Sequence, residues 1–344
     1  MLAAVMKSLN SPLSVEEVPT PRPGPGEVQV RIEASGLCTS DIHYMTGASP
    51  VAKTPIILGH EVAGAIHEVG PGVTRLKQGD RVVVHYLVTC GTCALCTSGN
   101  ENFCSDCKMI GKTIDGGFAQ FVVVPEANAI PVPDEVPIEH AALAADAIAT
   151  PYHAVKLAQV RAGDTTLIVG LGGLGLHAVQ LPKLFGATTV IAVDVSEAKL
   201  KLAARLGADH TINAAHENML DRVREITLGK GIDVAIELIG LKKTLESSIQ
   251  SLANRGRMVI VGICPVNIEM DPYNDILLKE AVITGNCDHL ASDIREVLSL
   301  IRGGKLDLSH SVSRRIKLSD INEGFRILRE KEDDPVRIVI TDMA

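Results

Sequence analysis

The sequence contains no tryptophan, and five phenylalanines and four tyrosines leave the aromatic fraction at 3%. Burial must therefore rest on Val, Ile, Leu and Ala. Positive charge is also short: 33 Lys and Arg stand against 41 Asp and Glu, a formal net charge of -8. A nucleic-acid backbone demands clustered cations to displace its counterions, so no nucleic-acid partner is expected. Long apolar runs are missing as well. The opening MLAAVMKSLNSPLSVEE has an apolar run too short for a secretory leader, interrupted by Lys7 and Ser8. The most apolar stretch, TLIVGLGGLGLHAVQL (166–181), falls short of a membrane span, and its four glycines suit a turn better than a lipid-facing helix. The expectation is a cytoplasmic protein with no membrane partner.

What is present points to a folded, two-domain chain. Its 344 residues exceed what one compact domain usually holds, and 46% hydrophobic against 22% charged residues argues for real cores. Five of the eight cysteines fall in CGTCALCTSGNENFCSDC (90–107). In a reducing compartment such clusters bind metal more often than they pair. Cys90, Cys93, Cys96 and Cys104 follow C-x2-C-x2-C-x7-C, and four thiolates on short turns can close a tetrahedral zinc shell with no position left for substrate. That makes the site structural. An iron–sulfur cluster can use similar spacing, although the proline usual after the last ligand is absent. Cys107 reads as a thiol beside this lobe or as a replacement for Cys104.

A second group lies upstream, with Cys38 in GLCTSDIHYMTG (36–47) and His60 beside Glu61 in LGHEVAG (58–64). Cysteine, histidine and carboxylate form a mixed ligand set of the kind that leaves one coordination position open. Singly, each has an ordinary reading: a small buried hydrophobe, a hydrogen-bonded core histidine, a surface charge. The middle of the chain tips the balance. TLIVG (166–170) has the continuous apolar character of a buried parallel strand, and Gly170, Gly172 and Gly175 then match G-x-G-x-x-G. A strand precedes the motif, a helix follows, and Asp194 ends the next strand. The glycines of this turn, with Gly173 and Leu174 inside it, would let backbone approach a pyrophosphate, and Asp194 would accept from the adenosine ribose and repel a 2'-phosphate. NAD is thus favoured over NADP. IDVAIELIG (232–240), a helix over 241–256 and a strand over 257–263 extend a doubly wound parallel sheet. Pro182 falls inside the helix after the glycines, where a local kink is expected.

With these motifs in one order, from GEVQVRIEASGLCTSDIH through GHEVAGAIHEVGPGVTRLKQGDRV, the cysteine lobe and DGGFAQFVVVP to the glycine turn, the chain resembles the zinc-dependent alcohol dehydrogenases of the medium-chain dehydrogenase/reductase superfamily. The resemblance implies a mainly β, GroES-like catalytic domain over 1–148 with a structural zinc lobe near 88–108. It also implies a Rossmann-type NAD-binding domain over 149–284 and a return to the catalytic domain over 285–344. It implies two zinc ions per chain, and makes Asp146 the third catalytic-zinc ligand beside Cys38 and His60, with Glu61 an exchangeable one. Asp41 takes the role of carboxylate partner to His60. Ser40 and His43 become a proton relay from the substrate oxygen, and Thr39 lies near the pyrophosphate. Thr150 and Val261 lie against the nicotinamide, and Lys199 contacts the adenosine ribose.

The activity implied is NAD-dependent oxidation of primary or secondary alcohols in a homo-oligomer, a tetramer before a dimer. The pocket is expected near Tyr86 and the loops around 48–56 and 263–290. A polyol or L-threonine dehydrogenase of the same zinc branch is the alternative, and a non-catalytic zinc- and dinucleotide-binding protein is the alternative from another class.

Overall fold

The computed structural model describes the whole chain, Met1–Ala344, as two compact units. One joins Met1–Ala149 to Leu290–Ala344, and the other is Thr150–His289.

In the first unit the strand Glu27–Leu37 organises the rest. Val28, Val30, Ile32 and Ala34 alternate along it and are almost wholly buried, so register is fixed by which face carries the apolar set. It pairs antiparallel with Glu61–Val69, Phe121–Pro125 and Arg337–Asp342 inside a seven-stranded sheet. Two register pairs decide the chemistry: Gly36 lies opposite Glu61, and Leu37 opposite Ile338. Cys38, His60, Glu61 and Arg337 are thereby gathered at one end of the sheet. The helix Ile138–Ala144, whose Ala141–Ala144 stretch is entirely buried, packs on the same strands and delivers Asp146 two residues beyond its end.

A close backbone approach tightens this end. Gly59, before His60, has φ +95°, and a Cβ there would meet the Phe118 ring at 2.6 Å. Phe118 is fully buried and meets Phe325 edge-on, with ring centroids 5.8 Å apart.

The second unit carries six parallel strands in the order His210–Asn213, Thr189–Asp194, Thr165–Val169, Ile232–Glu237, Leu252–Ile260 and Val282–Gly285. Strand order reverses at Thr165–Val169, the point at which doubly wound sheets open a crevice for ligands. The helix after the glycines is broken into Gly175–Ala178 and Leu181–Leu184, with Pro182 in the first turn of the second piece. There its missing N–H falls among groups that lack a helical acceptor in any case, which is how the kink expected from sequence is accommodated. The helix read over 241–256 is shorter, Lys242–Gln250, and the next strand begins at Leu252 rather than 257. Buried Leu252 already pairs with Ile232, and the chain then bulges through Arg255, at φ +62°, before Arg257 rejoins Val234. No helix is long and apolar enough to cross a membrane.

Phe118→Ala should destabilise the first unit by about 3–5 kcal/mol, through lost apolar burial and an unfilled cavity against Gly59. Calorimetry should show a transition lowered by roughly 10 °C; a fall of a degree or two would mean that Phe118 does not brace this end of the sheet.

Candidate active site

Cys38 is the residue from which the helix Thr39–Thr46 springs. Its backbone is extended, at φ -111° and ψ 151°, and its N–H donates to Asp41 Oδ2 at 3.0 Å. The other oxygen, Asp41 Oδ1, lies 3.2 Å from His60 Nδ1, close enough for an ion pair although poorly aligned for a hydrogen bond. One buried carboxylate thus spans the backbone of one donor residue and the ring of the next. His60 then turns Nε2 toward Asp146 Oδ2 at 3.7 Å, and that same oxygen is 3.6 Å from Cys38 Sγ. Ligand atoms of Cys38, His60, Glu61 and Asp146 all lie within 4.8 Å of one another, and all four residues are buried. The imidazole is held edge-on between Tyr44 and Tyr86, with centroids at 6.2 and 5.4 Å.

Charge in this pocket is unbalanced. Asp41, Glu61 and Asp146 meet one buried guanidinium, Arg337, whose Nη2 is 2.6 Å from Glu61 Oε1 and 3.8 Å from Asp146 Oδ2. Burial works against the imidazolium, but Asp41 and then Asp146 outweigh it and carry the His60 pKa well above its ordinary value. Full burial likewise pushes the Glu61 carboxyl up to about 8, against the pull of Arg337. A dication among thiol, imidazole and carboxylates offsets the negative excess and supplies what these buried donors otherwise take as protons. The donor set therefore fits a zinc ion.

Ser40 and His43 lie on the helix that Cys38 begins, three residues apart and so on one face. Both are half-buried, with Ser40 Oγ 3.6 Å from Cys38 Sγ, whereas Thr39 is exposed. Arg337 and Tyr44 are additions to the residues singled out in the sequence. Arg337 carried a signal, a lone cation inside the apolar run VRIVI (336–340), but its partner Glu61 lies too far along the chain for spacing to reveal.

The cysteine lobe forms a second, separate cluster. Sulfurs of Cys90, Cys93, Cys96 and Cys104 lie within 4.8 Å of one another, with Cys90 and Cys96 at 3.9 Å. Four Zn–S bonds of about 2.3 Å give tetrahedral edges of about 3.8 Å, so the spacing suits a single ion. The N–H groups of Thr92 and Cys93 hold the Cys90 thiol down to about 6, while burial and the neighbouring thiols push Cys96 up to about 12. Cys107 lies outside the four, its Sγ 3.6 Å from the Lys108 carbonyl oxygen, and none of the eight cysteines is in a disulfide.

The second unit holds the glycine turn. A Cβ on Gly175 would meet the Gly170 carbonyl oxygen at 1.7 Å, and Gly170 itself has φ +95°, so both glycines are demanded by the chain's own packing. Gly172 differs: a Cβ there would meet nothing within 4 Å. Its bareness serves open space above the turn, as the approach of a pyrophosphate requires. Asp194 closes the turn from the next strand, its Oδ2 accepting from Leu171 N–H at 2.7 Å and its Oδ1 from Val195 and Ser196 N–H at 2.8 and 2.9 Å. Lys199 is half-buried on the helix Glu197–Arg205, Thr150 Oγ1 lies 3.1 Å from His289 Nδ1, and Val261 N–H donates to the Glu237 carbonyl at 2.8 Å.

The two glycines separate packing from binding. Gly175→Ala should destabilise the second unit by roughly 2–3 kcal/mol. Gly172→Ala should leave the melting temperature unchanged while raising the NAD dissociation constant by about tenfold, measured calorimetrically. Unchanged NAD affinity in Gly172→Ala would refute the reading of its open side.

Residues 24–134 match the family model described as alcohol dehydrogenase GroES-like domain, and residues 173–303 the one described as zinc-binding dehydrogenase. An alcohol dehydrogenase of Geobacillus stearothermophilus is 38% identical over 327 residues, covering 94% of this chain and 95% of the relative. An L-threonine 3-dehydrogenase of Thermococcus kodakarensis is 37% identical over 321 residues, covering 91% and 90%. Among solved structures, a zinc-binding dehydrogenase of Sinorhizobium meliloti bound to NADP superimposes with a TM-score of 0.90 at 32% identity, covering 99% of this chain and 98% of that one. Similarity of that depth over nearly the whole length means that the chain belongs to the zinc-dependent alcohol dehydrogenases of the medium-chain dehydrogenase/reductase superfamily.

Proposed function

We propose that this chain catalyses reversible hydride transfer between NAD and a primary or secondary alcohol. In this reading Met1–Ala149 with Leu290–Ala344 is the catalytic domain and Thr150–His289 the nucleotide-binding domain. The observation that carries the proposal is the buried meeting of Cys38, His60, Glu61 and Asp146 within 4.8 Å. Cys38, His60 and Asp146 hold one zinc and Glu61 stands as an exchangeable ligand, while Cys90, Cys93, Cys96 and Cys104 hold a second, structural zinc. The catalytic ion, when bound, supplies a Lewis acid that lowers the pKa of a hydroxyl oxygen toward neutrality.

The chain's own side chains do the remaining work. The Asp41 carboxylate, 3.2 Å from His60 Nδ1, favours the proton on that nitrogen by its charge and so would leave Nε2 to ligate. Ser40 Oγ accepts the hydroxyl proton and passes its own toward His43, from which it reaches solvent. Arg337 neutralises Glu61, which keeps that carboxylate tethered beside the ligands. Thr150 and Val261 seat the nicotinamide, the turn Gly170–Gly175 takes the pyrophosphate, and Asp194 and Lys199 take the ribose. Asp194 favours NAD: its carboxylate is pinned by three backbone N–H groups and repels a 2'-phosphate, even though a structural neighbour binds NADP.

A second reading, L-threonine oxidation, is favoured by the relatives of that name. The zwitterion's carboxylate calls for a free cation, whereas Arg337 is committed to Glu61. Simple alcohols therefore stand first. We also infer a homo-oligomer in the cytoplasm, a tetramer before a dimer. The outermost strand Val282–Gly285 and the segment before it expose Tyr273, Leu277, Leu278 and Val282 by more than half, an apolar edge of the kind a second copy covers.

Purified protein should contain two zincs per chain, turn over NAD in preference to NADP, and oxidise unbranched alcohols. Faster turnover of threonine or polyols would move the assignment to the second reading. Asp146→Ala should lower kcat by roughly a thousandfold, the equivalent of about 4 kcal/mol, with NAD affinity retained; full activity in this variant would overturn the ligand assignment.

A further inference from the structure

One buried side chain beside the glycine turn has no part in the proposed chemistry. His177 is only 2% exposed, in the first short helix after the glycine turn, and its Nδ1 lies 2.6 Å from the Gly173 carbonyl oxygen. A carbonyl can only accept, so Nδ1 carries the proton. The neighbouring carbonyls of the turn are taken by main-chain donors: Leu176 N–H bonds to Gly172 O at 3.2 Å, Ala178 N–H to Leu174 O at 2.9 Å, and Val179 N–H to Gly175 O at 3.0 Å. His177 thus completes a series of four successive carbonyls drawn toward the helix.

The consequence follows from peptide geometry. In a planar trans peptide the C=O of one residue and the N–H of the next point in opposite directions. Drawing the Gly173 carbonyl toward His177 therefore turns the Leu174 N–H the opposite way, in a turn where a Cβ at Gly172 would meet no atom within 4 Å. An apolar side chain would satisfy burial at position 177, but it would leave the Gly173–Leu174 peptide without this side-chain donor, and a peptide preceded by glycine rotates readily. We propose that His177 is a positioning residue for the dinucleotide: it does not touch the cofactor, but it locks the Gly173–Leu174 peptide so that the Leu174 N–H is preset to donate to a pyrophosphate oxygen. This rests on the reading of the turn as an NAD site.

The test compares three variants by calorimetric binding of NAD and of adenosine, which lacks the pyrophosphate, with melting temperature measured alongside. His177→Leu fills a similar volume with no donor, His177→Ala removes the ring, and His177→Asn restores an N–H donor at the same number of bonds from Cα as Nδ1. The proposal expects the Leu and Ala variants to bind NAD about tenfold more weakly with adenosine affinity unchanged. The Asn variant should recover most of the loss. Wild-type NAD affinity in His177→Leu overturns it, as does equal weakening of NAD and adenosine, which marks a merely structural role. Failure of Asn to restore binding also overturns it. Wild-type protein that binds adenosine but not NAD would instead refute the site itself.

Discussion

A surplus of buried negative charge, gathered at one end of a β-sheet, is the constraint on which the rest of this molecule depends. Asp41, Glu61 and Asp146 lie almost entirely out of water around a single imidazole and a single guanidinium. Isolated carboxylates cannot be buried at that density without compensation. His60 held toward its charged form, Glu61 pushed up to about 8 and the tight Glu61–Arg337 pair all express one imbalance. A zinc dication resolves it, and the thiol of Cys38 gives that ion a ligand it prefers over lighter, oxygen-seeking cations.

The sheet supplies the precision. Antiparallel register sets Gly36 against Glu61 and Leu37 against Ile338, so Cys38, His60, Glu61 and Arg337 meet although the segments that carry them lie far apart in the chain, while Asp146 comes from the turn after Ile138–Ala144. The Gly59 backbone pressed under Phe118, and the capping of the Cys38 helix by Asp41, fix the directions from which His60 and Cys38 enter. The nucleotide-binding unit uses a different device. There the chain's own packing dictates Gly170 and Gly175, while Gly172 leaves space, and four successive carbonyls of the turn are taken by donors of the following helix. Both sites are braced by packing and backbone hydrogen bonds, and preorganisation of that kind spares reorganisation at the moment of reaction.

Local signals in the sequence were the legible ones. The cysteine spacing and the strand–glycine–helix passage are complete within about twenty residues, so periodicity and turn chemistry suffice to read them. Pro182 announced the break that the helix shows. Legibility failed where tertiary pairing overrode local preference. SLANRG (251–256) looks like the end of a helix, yet Leu252 is drawn into the sheet by Ile232 and the helix stops at Gln250. Asp146 could be nominated only through family resemblance, because no spacing links it to Cys38, 108 positions earlier. Arg337 shows in the sequence only as a lone cation in an apolar run: its role exists only once the last strand lies beside Leu37. His177 was invisible for a similar reason, since a histidine in an apolar helix says nothing about which carbonyl it meets.

The most direct test of the central claim is an anomalous difference map from crystals of the purified protein, collected on either side of the zinc absorption edge. The account predicts two peaks per chain, one among the sulfurs of Cys90, Cys93, Cys96 and Cys104 and one bounded by Cys38 Sγ, His60 Nε2 and an Asp146 oxygen. A single peak in the cysteine lobe, with Asp146 turned away from Cys38 and His60, would contradict it.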